Sequence, residues 1–320
     1  SHNRQMELES LDDVRAAEPF VGALAVRTPP LHAEWAGDLW LKPENLQPIG
    51  AFKIRGAGYA VARLPATTPG VTTHSSGNHG RALAYAARQM GIECVVVVPE
   101  TAPQVKVEAM RACGAELVFV PAAERESVAA ELSRTRGFAL IPPYDHPDVI
   151  AGQGTIGVEI LEDLPDVDTV LAPVGGGGLA SGVAAAVKAL SPEVRVIGVE
   201  PELAADAAES LHKGRLVRWE PERTRRTISD GVRTCLSELT FHHLSTLADD
   251  VVTVTDDQTR DALRALAHRS KLVAEPSGAL TTAAYLHRRD DDWGRTVAIV
   301  SGGNIQPELL VEILSGGEIT

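Results

Sequence analysis

Aromatic residues are scarce in this sequence, and long apolar segments are absent from it. Phe, Trp and Tyr make up 4% of the 320 residues, whereas apolar residues as a whole make up 44%. An apolar fraction of this size is typical of a globular protein, so small aliphatic side chains are expected to fill the core. No apolar run reaches the roughly 18 residues that a membrane-spanning helix requires, which argues against an integral membrane protein.

Cysteine and positive charge are also in short supply. The three cysteines, Cys94, Cys113 and Cys235, are an odd number without the paired spacing of zinc ligands. They indicate reduced thiols rather than a disulfide framework, so a cytoplasmic location is expected. Lys and Arg number 30 against 43 Asp and Glu, which gives a formal net charge of −13. This balance argues against nucleic-acid binding and against a polybasic membrane anchor.

Short apolar segments alternate with helical patterns along the chain. We predict strands at 92–98, 117–120, 169–174, 194–200 and 297–300, and helices at 81–90, 103–112 and 179–190. The segment 92–98 barely alternates between apolar and polar residues, which is typical of a strand buried on both faces. The alternation predicts an α/β fold with mainly parallel sheets. The polar segment 202–250 is expected to be irregular and to lie on the surface.

Three glycine-rich segments, 75–80, 175–178 and 301–304, each follow a strand-like segment or precede a helical one. In open parallel sheets, ligands bind at the carboxyl ends of the strands, so the three segments are expected to share one site. The four glycines of 175–178 allow backbone N–H groups at a helix start to approach an anion. They therefore predict phosphate binding, with a tight turn that needs positive φ as the structural alternative.

The tetraglycine segment leaves a second function open. Residues 175–180 fit the dinucleotide fingerprint loosely, with Gly175, Gly177 and Ala180 at the key positions. Glu200 follows at roughly the 20-residue distance where an acceptor for a ribose hydroxyl is expected. On this segment alone, an NAD-binding oxidoreductase remains an alternative.

Two other segments carry polar side chains suited to ligand binding. Ser75, Ser76 and Asn78 stand just before a predicted helix, where hydroxyls, an amide and free N–H groups suit a carboxylate. A plain helix N-cap is the structural alternative. Lys53 stands between two apolar residues, and a lysine desolvated by such neighbours has a lowered pKa and can act as a nucleophile in Schiff-base chemistry. A surface lysine packed along its apolar stem is the alternative.

The segment 45–57 around Lys53 resembles the cofactor-lysine segment of the threonine dehydratase and serine racemase family, which are pyridoxal phosphate (PLP) enzymes of fold type II. In the family's order, 75–80 is similar to its substrate and cofactor loop, 175–178 to its phosphate loop and 301–304 to its pyridine-nitrogen loop. The resemblance implies a tryptophan synthase β-like α/β fold, with two domains that each hold a mainly parallel twisted sheet flanked by helices. It divides the chain into a large PLP-binding domain of 1–64 and 147–320 and a small mobile domain of 65–146. A homodimer is implied as well.

The resemblance also assigns roles to cofactor-binding residues. Lys53 would bind the cofactor and remove the proton at the substrate Cα, and Ser301 would bond the pyridine nitrogen. A neutral hydroxyl at that nitrogen makes the ring a weaker electron sink, which favours prompt β-elimination. The implied cofactor contacts are Phe52, Lys53, Asn78, Gly175, Gly176, Gly177, Gly178, Glu275 and Ser301.

Substrate contacts are implied in the same way. Ser76 would face Lys53 across Cα as a second acid and base, which would permit racemisation. Arg125 could pair with a distal carboxylate in a bidentate manner, although an exposed helix arginine is the alternative. Thr234 lies in a segment that departs from the pattern of biosynthetic threonine dehydratases and mammalian-type serine racemases, so the side-chain specificity stays open. The implied substrate contacts are Ser75, Ser76, Asn78, His79, Arg125 and Thr234.

A cation site is implied by the segment 200–206. Glu200 and Asp206 would supply carboxylates and Ala204 a backbone carbonyl. Hard oxygen ligands of this kind suit Mg²⁺, or Ca²⁺ or Mn²⁺. Two ordinary acidic residues in an acidic chain are the structural alternative.

The implied function is that of a PLP-dependent ammonia-lyase. Its substrate would be a β-hydroxy amino acid, L-serine or L-threonine or, through Arg125, threo-3-hydroxyaspartate, and its products a 2-oxo acid and ammonia. Serine racemase with side β-elimination is the alternative within the family. An NAD-binding oxidoreductase and a protein that binds PLP without turnover are alternatives of other classes.

Overall fold

The protein is described by a computed structural model over residues 6–288 and 292–316. Within these ranges the strands are β1 (Leu31–His32), β2 (Leu39–Pro43), β3 (Gly70–His74), β4 (Glu93–Pro99), β5 (Glu116–Val120), β6 (Ala139–Leu140), β7 (Thr169–Pro173), β8 (Arg195–Pro201), β9 (Asp250–Val254) and β10 (Thr296–Val300). The helices are α1 (Leu11–Leu24), α2 (Lys53–Ala62), α3 (Asn78–Met90), α4 (Gln104–Ala112), α5 (Arg125–Arg136), α6 (Pro147–Asp163), α7 (Gly178–Leu190), α8 (Asp206–Lys213), α9 (Pro221–Thr224), α10 (Glu238–Leu247), α11 (Asp256–Arg269), α12 (Pro276–His287) and α13 (Pro307–Ser315).

The strands form two sheets. One has six strands in the order β1-β2-β10-β7-β8-β9, and the other has four in the order β5-β4-β3-β6. Every pair of adjacent strands is parallel except β1 with β2. Parallel neighbours need long crossover connections, and helices such as α3 and α7 supply them. The predicted α/β fold with mainly parallel sheets is therefore confirmed.

The predicted strands and helices lie close to the positions that they have in the structure. The strand predicted at 92–98 is β4, and Val95, Val96, Val97 and Val98 in it are fully buried, as expected for a strand covered on both faces. The helix predicted at 81–90 begins earlier, at Asn78, because the chain already turns helical after Gly77. Among the described residues, no helix is both long and apolar enough to cross a bilayer.

The expectation that 202–250 is an irregular surface segment is wrong towards both ends of the segment, whereas 214–226 is mostly exposed and contains only the four-residue helix α9. This segment contains α8 and α10, and α10 packs against α7. Leu236 and Leu244 in it are fully buried, and so is Thr240, whose hydroxyl donates to the carbonyl of Gly176 at 2.7 Å. Polar residues that suggested a surface thus form hydrogen bonds inside the protein.

Small residues allow the central helices to pack closely, which suits a chain poor in aromatic residues. An added Cβ at Gly154 in α6 would lie 2.9 Å from the carbonyl oxygen of Gly182 in α7. An added Cβ at Gly182 would in turn clash with the carbonyl of Ile150. The two helices therefore pack backbone against backbone.

All strands of the four-stranded sheet lie between 70 and 140, inside the predicted small domain of 65–146. The six other described strands lie in the predicted large domain, of which 1–5, 289–291 and 317–320 are outside the described residues. The domain boundaries and the mobility of the small domain stay predictions.

Candidate active site

A cavity of about 710 Å³ lies between loops that belong to the two sheets. Loops that follow the carboxyl ends of β3, β7 and β10 line it, together with the start of α2. Every residue that the sequence suggests for cofactor or substrate is among its lining residues: Phe52, Lys53, Ser75, Ser76, Asn78, His79, Arg125, Gly175, Gly176, Gly177, Gly178, Thr234, Glu275 and Ser301. Positions far apart in the sequence therefore converge on one space, while their individual roles stay predictions.

Lys53 is the first residue of α2 and points into this cavity. Its Nζ donates a hydrogen bond to the carbonyl of Pro143 at 3.3 Å and lies 5.1 Å from the centroid of the Phe52 ring. Burial lowers the pKa of Lys53 to about 8, although the nearby Glu275 carboxylate acts in the opposite direction. A substantial fraction of this amine is therefore neutral near physiological pH and able to attack a carbonyl carbon.

A buried ionic network fixes the helix that carries Lys53. Arg55, two residues further along α2, is fully buried, and its guanidinium contacts Glu44 and Glu159 with N–O distances of 2.6 Å. Lys42 also contacts Glu159, at 2.8 Å. Because these charges are removed from water, each stabilises the protein only while its partners are in place. The network therefore holds the start of α2 firmly against α6 and the end of β2.

The glycine segment 175–178 has no room for side chains. An added Cβ at Gly176 would clash with the ring of Tyr144, and one at Gly175 would lie 2.7 Å from the Cα of Val232. Gly177 has φ +92°, which L-residues with a side chain rarely adopt. The segment thus presents bare backbone N–H groups at the start of α7, an arrangement suited to a phosphate group.

The loop 75–80 is held in shape by its own hydrogen bonds. The Ser75 hydroxyl oxygen accepts from the backbone N–H groups of Gly77 at 3.1 Å and Gly80 at 3.0 Å. Ser75 therefore shapes the loop, whereas Ser76, beside it, lines the cavity without a hydrogen bond of this kind. The prediction that both serines contact the substrate stays a prediction, and the geometry favours Ser76.

Asn78 connects three loops. Its amide nitrogen donates to Glu275 at 3.0 Å, and its amide oxygen accepts from the side chain of Asn304 at 2.7 Å. Glu275 also accepts from the backbone N–H of Asn304 at 2.8 Å. Burial, followed by repulsion from Asp230, raises the pKa of Glu275 to about 7. The loops after β3 and β10 and the N-terminus of α12 are therefore joined at one point beside Lys53.

His79 and Ser301 are buried in the wall of the cavity. The His79 Nε2 lies 2.9 Å from the carbonyl oxygen of Ile141, and burial lowers the pKa of this histidine to about 3, so the ring is neutral. Ser301 follows β10, and its carbonyl accepts from the N–H of Phe52 at 3.0 Å. That bond brings the loop at 301–304 next to the start of α2.

A family model described as pyridoxal-phosphate dependent enzyme matches residues 21–302. The chain belongs to this family. It is 39% identical to the L-threo-3-hydroxyaspartate ammonia-lyase of Saccharomyces cerevisiae, over 98% of each chain. The solved structure of a T.th. threonine deaminase is 45% identical and has a TM-score of 0.88 over 93% of this chain and 99% of its own. The structure of maize serine racemase is 35% identical and has a TM-score of 0.90 over 97% and 98%.

The cavity fits the cofactor that gives the family its name. The glycine backbone at 175–178 leaves open a space that side chains would otherwise fill, and a phosphate group can occupy that space. Lys53 supplies an amine suited to the cofactor aldehyde. Ser301 offers a hydroxyl in the same wall. PLP is therefore the cofactor of this family member, and the match of 21–302 excludes the NAD-binding oxidoreductase.

The residue on which the NAD interpretation depended does not line the cavity. Glu200 is fully buried and is not among the cavity's lining residues. Its two carboxylate oxygens accept from the backbone N–H groups of Ala207 at 3.1 Å and Ala208 at 2.7 Å. Both oxygens are therefore bonded to backbone N–H groups and are not free in the cavity to accept from a ribose hydroxyl.

The predicted cation-binding residues form a separate buried cluster. Glu200, Ala204 and Asp206 are all fully buried, and burial raises the pKa of both carboxyl groups, that of Asp206 to about 6. One Asp206 oxygen accepts from the N–H of Leu236 at 3.1 Å, and the other is buried without a hydrogen-bond partner. Within the described ranges, no group of three or more His, Cys, Asp or Glu residues is arranged to hold a metal ion. Two carboxylates, a backbone carbonyl and water remain a donor set that suits Mg²⁺.

Sequence reasoning missed several residues of the cavity wall. Lys106 of α4 lies above the loop 75–80, with its Nζ 3.9 Å from where a Cβ of Gly77 would be, and forms an ion pair with Asp230. Tyr144 packs on the glycine segment, and Arg81 enters from α3. One signal could have located Lys106, because α4 follows β4 and starts at the same sheet edge as the loop after β3. Nothing in the sequence pattern singles out Tyr144.

Proposed function

We propose that this chain is a PLP-dependent ammonia-lyase that converts a β-hydroxy amino acid into a 2-oxo acid and ammonia. The observation that carries the proposal is the convergence of Lys53, the loop 75–80 and the glycine segment 175–178 on one cavity. The yeast relative, an L-threo-3-hydroxyaspartate ammonia-lyase, supports the same reaction class, as does the similarity to a threonine deaminase.

The chain's own residues divide the work of this reaction. PLP, when bound, supplies an electron sink for negative charge at the substrate Cα. Backbone N–H groups of 175–178 hold its phosphate, and Ser301 donates or accepts at the ring nitrogen. The N–H groups of the loop 75–80 that are not already bonded within the protein, those of Ser76, Asn78 and His79, bind the substrate α-carboxylate. Lys53 removes the Cα proton, because its pKa of about 8 leaves it able to exchange a proton near neutral pH.

The enclosed site then favours loss of the β-hydroxyl. The Ser301 hydroxyl is neutral and buried, so it does not keep the ring nitrogen charged as a carboxylate would. With PLP bound, the Ser301 hydroxyl would leave the ring a weaker electron sink, which would favour prompt loss of the β-hydroxyl. The β-hydroxyl takes up a proton, in balance with the one that Lys53 removed from Cα, and departs as water. The eliminated product then takes up water to give the 2-oxo acid and ammonia.

A product assay on the PLP-loaded protein tests this proposal. L-Serine, D-serine, L-threonine and L-threo-3-hydroxyaspartate are supplied separately, and 2-oxo acid, ammonia and amino-acid enantiomers are quantified together. We expect 2-oxo acid and ammonia in equal amounts, with activity abolished in Lys53→Ala. PLP-loaded protein inert toward all four substrates would overturn the proposal and favour binding without turnover.

Serine racemisation is the second candidate function, and the position of Ser76 favours it. Ser76 and Lys53 both line the cavity, so a proton donor could stand on each face of the substrate Cα. The similarity to maize serine racemase supports this candidate. Substantial D-serine from L-serine, lost in Ser76→Ala while 2-oxo acid formation persists, would establish it.

We further propose a cation at Glu200, Asp206 and the Ala204 carbonyl, with Mg²⁺ as the preferred ion and Ca²⁺ or Mn²⁺ as substitutes. The unpartnered Asp206 oxygen and the burial of both carboxylates support it. A cytoplasmic homodimer completes the proposal. Its support is the family resemblance and the free cysteines Cys94, Cys113 and Cys235.

A further inference from the structure

Arg81 of α3 is an arginine in the cavity wall that has no partner in the described part of the protein. Its Nε is inaccessible to solvent and has no hydrogen-bond acceptor. No carboxylate of residues 6–288 and 292–316 forms an ion pair with its guanidinium. A buried donor without an acceptor costs free energy, because it has lost water and gained nothing in exchange.

The other cations that line the cavity differ from Arg81, since the Nε of Arg125 donates to the carbonyl of Ala122 at 3.0 Å even though no carboxylate of the described residues pairs with Arg125. Lys106 is paired with Asp230, and Lys53 donates to the Pro143 carbonyl. The positive charge of Arg81 is therefore left over for something that enters the cavity. A guanidinium binds carboxylates and phosphates through two parallel hydrogen bonds, so the missing partner is an anion.

The position of Arg81 on α3 indicates whether its partner is the cofactor phosphate or a substrate carboxylate. Arg81 is three residues after Asn78, so both side chains lie on the same face of the helix. Asn78 belongs to the loop 75–80, which is proposed to hold the substrate. The phosphate-binding segment 175–178 instead follows β7 of the other sheet. Arg81 therefore stands on the substrate's side of the cavity.

We propose that Arg81 is a specificity-determining residue that binds a second carboxylate, carried on the side chain of a dicarboxylic β-hydroxy amino acid. The inference rests on the proposed ammonia-lyase function and names its preferred class of substrate. Arg81 acts independently of Arg125, which enters the cavity from α5 and donates its Nε hydrogen to the carbonyl of Ala122 at 3.0 Å. A substrate with an uncharged side chain, such as L-serine, leaves Arg81 unsatisfied and binds more weakly.

The test compares Arg81→Gln with wild type and with Arg88→Gln, all loaded with PLP. Arg88 lies two turns further along α3 and is exposed, with its guanidinium bonded to the carbonyl of Ala112 at 3.0 Å. The ratio of kcat/KM for L-threo-3-hydroxyaspartate to that for L-serine is measured. In Arg81→Gln this ratio should fall about tenfold or more, mainly through KM, since a charge-assisted hydrogen bond is lost. In Arg88→Gln the ratio should stay unchanged.

A binding measurement separates this inference from the proposed function. Succinate has the carbon skeleton of the substrate without its amine and hydroxyl, and butyrate is its monocarboxylate counterpart. Wild type should bind succinate more tightly than butyrate by calorimetry, and Arg81→Gln should lose that difference while Arg81→Lys keeps part of it. An enzyme inert to all β-hydroxy amino acids that still shows the Arg81-dependent difference would overturn the function alone. If Arg81→Gln lost affinity equally for succinate and butyrate, or kcat/KM equally for L-threo-3-hydroxyaspartate and L-serine, the role of Arg81 would be overturned.

Discussion

The reactivity of Lys53 comes from where the fold places it rather than from its neighbours in sequence. Phe52 packs near its amine, but the main cause of the lowered pKa is burial in a cavity formed by loops from both sheets. Glu275, which limits that shift, is more than 200 residues away in the chain and is held by Asn78 and Asn304. A lysine on the surface would instead titrate with a pKa of about 10.4.

Incorporation of PLP into the apoenzyme should depend on pH with a midpoint set by Lys53. Only the neutral amine attacks the aldehyde, so the rate should rise as pH increases and level off above the pKa of about 8. The visible absorption of the bound cofactor follows the reaction. Glu275→Gln removes the carboxylate that raises this pKa and should move the midpoint to lower pH. A rate that keeps rising to about pH 10, the range of an exposed lysine, would contradict the burial of Lys53.

Among the helices, α2 is held by a buried ionic network in addition to apolar packing. Arg55 and Glu44 are both fully buried, and Thr28 adds a hydrogen bond to Glu44 at 2.7 Å. Every charge in the network has an opposite charge beside it. The removal of one member leaves the others buried and unpaired, which is far more destabilising than the loss of a surface pair.

Arg55→Met should lower the free energy of unfolding by about 3–5 kcal/mol, because Glu44 would remain as an unpaired buried carboxylate. Urea denaturation of the apoenzyme measures the change. Arg134→Met is the matched control, since Arg134 pairs with Glu131 on the exposed face of α5 and should cost less than about 1 kcal/mol. Similar effects of the two substitutions would show that the network does not stabilise α2.

The glycine segment 175–178 is constrained by its neighbours as well as by any ligand. Tyr144 covers Gly176 and Gly178, and Val232 covers Gly175. The ring of Tyr144 therefore requires glycine beneath it even in the absence of cofactor. The sequence alone indicates only the phosphate and the turn as reasons for four glycines, since the contact with Tyr144 depends on the packing of a distant loop.

Gly176→Ala should destabilise the apoenzyme by about 1–3 kcal/mol, because the new methyl group overlaps the ring of Tyr144. Tyr144→Ala in the same chain should recover part of that loss, as a double-mutant cycle would show. Gly22→Ala is the control, because an added Cβ there meets nothing within 4 Å. In helix α1 this change should stabilise by about 0.5–1 kcal/mol. An apoenzyme unaffected by Gly176→Ala would contradict the packing argument.

For the molecule as a whole, the site depends on the meeting of the two sheets. Lys106 of α4, beside the four-stranded sheet, pairs with Asp230, which follows α9 and lies beside the six-stranded one. The hydrogen bond between Asn78 and Glu275 makes a second link of the same kind. Substrate and cofactor groups are therefore assembled only when both sheets are in place.

The cation cluster offers a test at this level, since it lies outside the cavity and can affect the site only through the fold. Chelation with EDTA should lower the melting temperature and the activity, and added Mg²⁺ should restore both, because two buried carboxylates would otherwise remain close together without a cation. Asp206→Asn should remove the response to EDTA, while Glu202→Gln, an exposed acid in the same turn, should keep it. A wild type insensitive to chelation would exclude the cation.

Much of the fold could be predicted because its signals are local. Strand β4 is a run of valines, and the helices after the glycine segments begin where backbone N–H groups are free. The buried part of 202–250 could not be predicted, because the burial of Thr240 and Leu244 depends on the contact between α10 and α7. The candidate site could be predicted as a set of residues, through the family resemblance, but not as a geometry.

The amino-acid order thus determines the α/β alternation, the glycine segments and the lysine between apolar neighbours, since these follow from short-range backbone preferences and from the chemistry of single side chains. The packing of distant elements decides the lowered pKa of Lys53, the links from Asn78 to Glu275 and Asn304, and the unpaired charge of Arg81. Burial and hydrogen-bond geometry arise only between groups that the fold brings together, so no local pattern contains them.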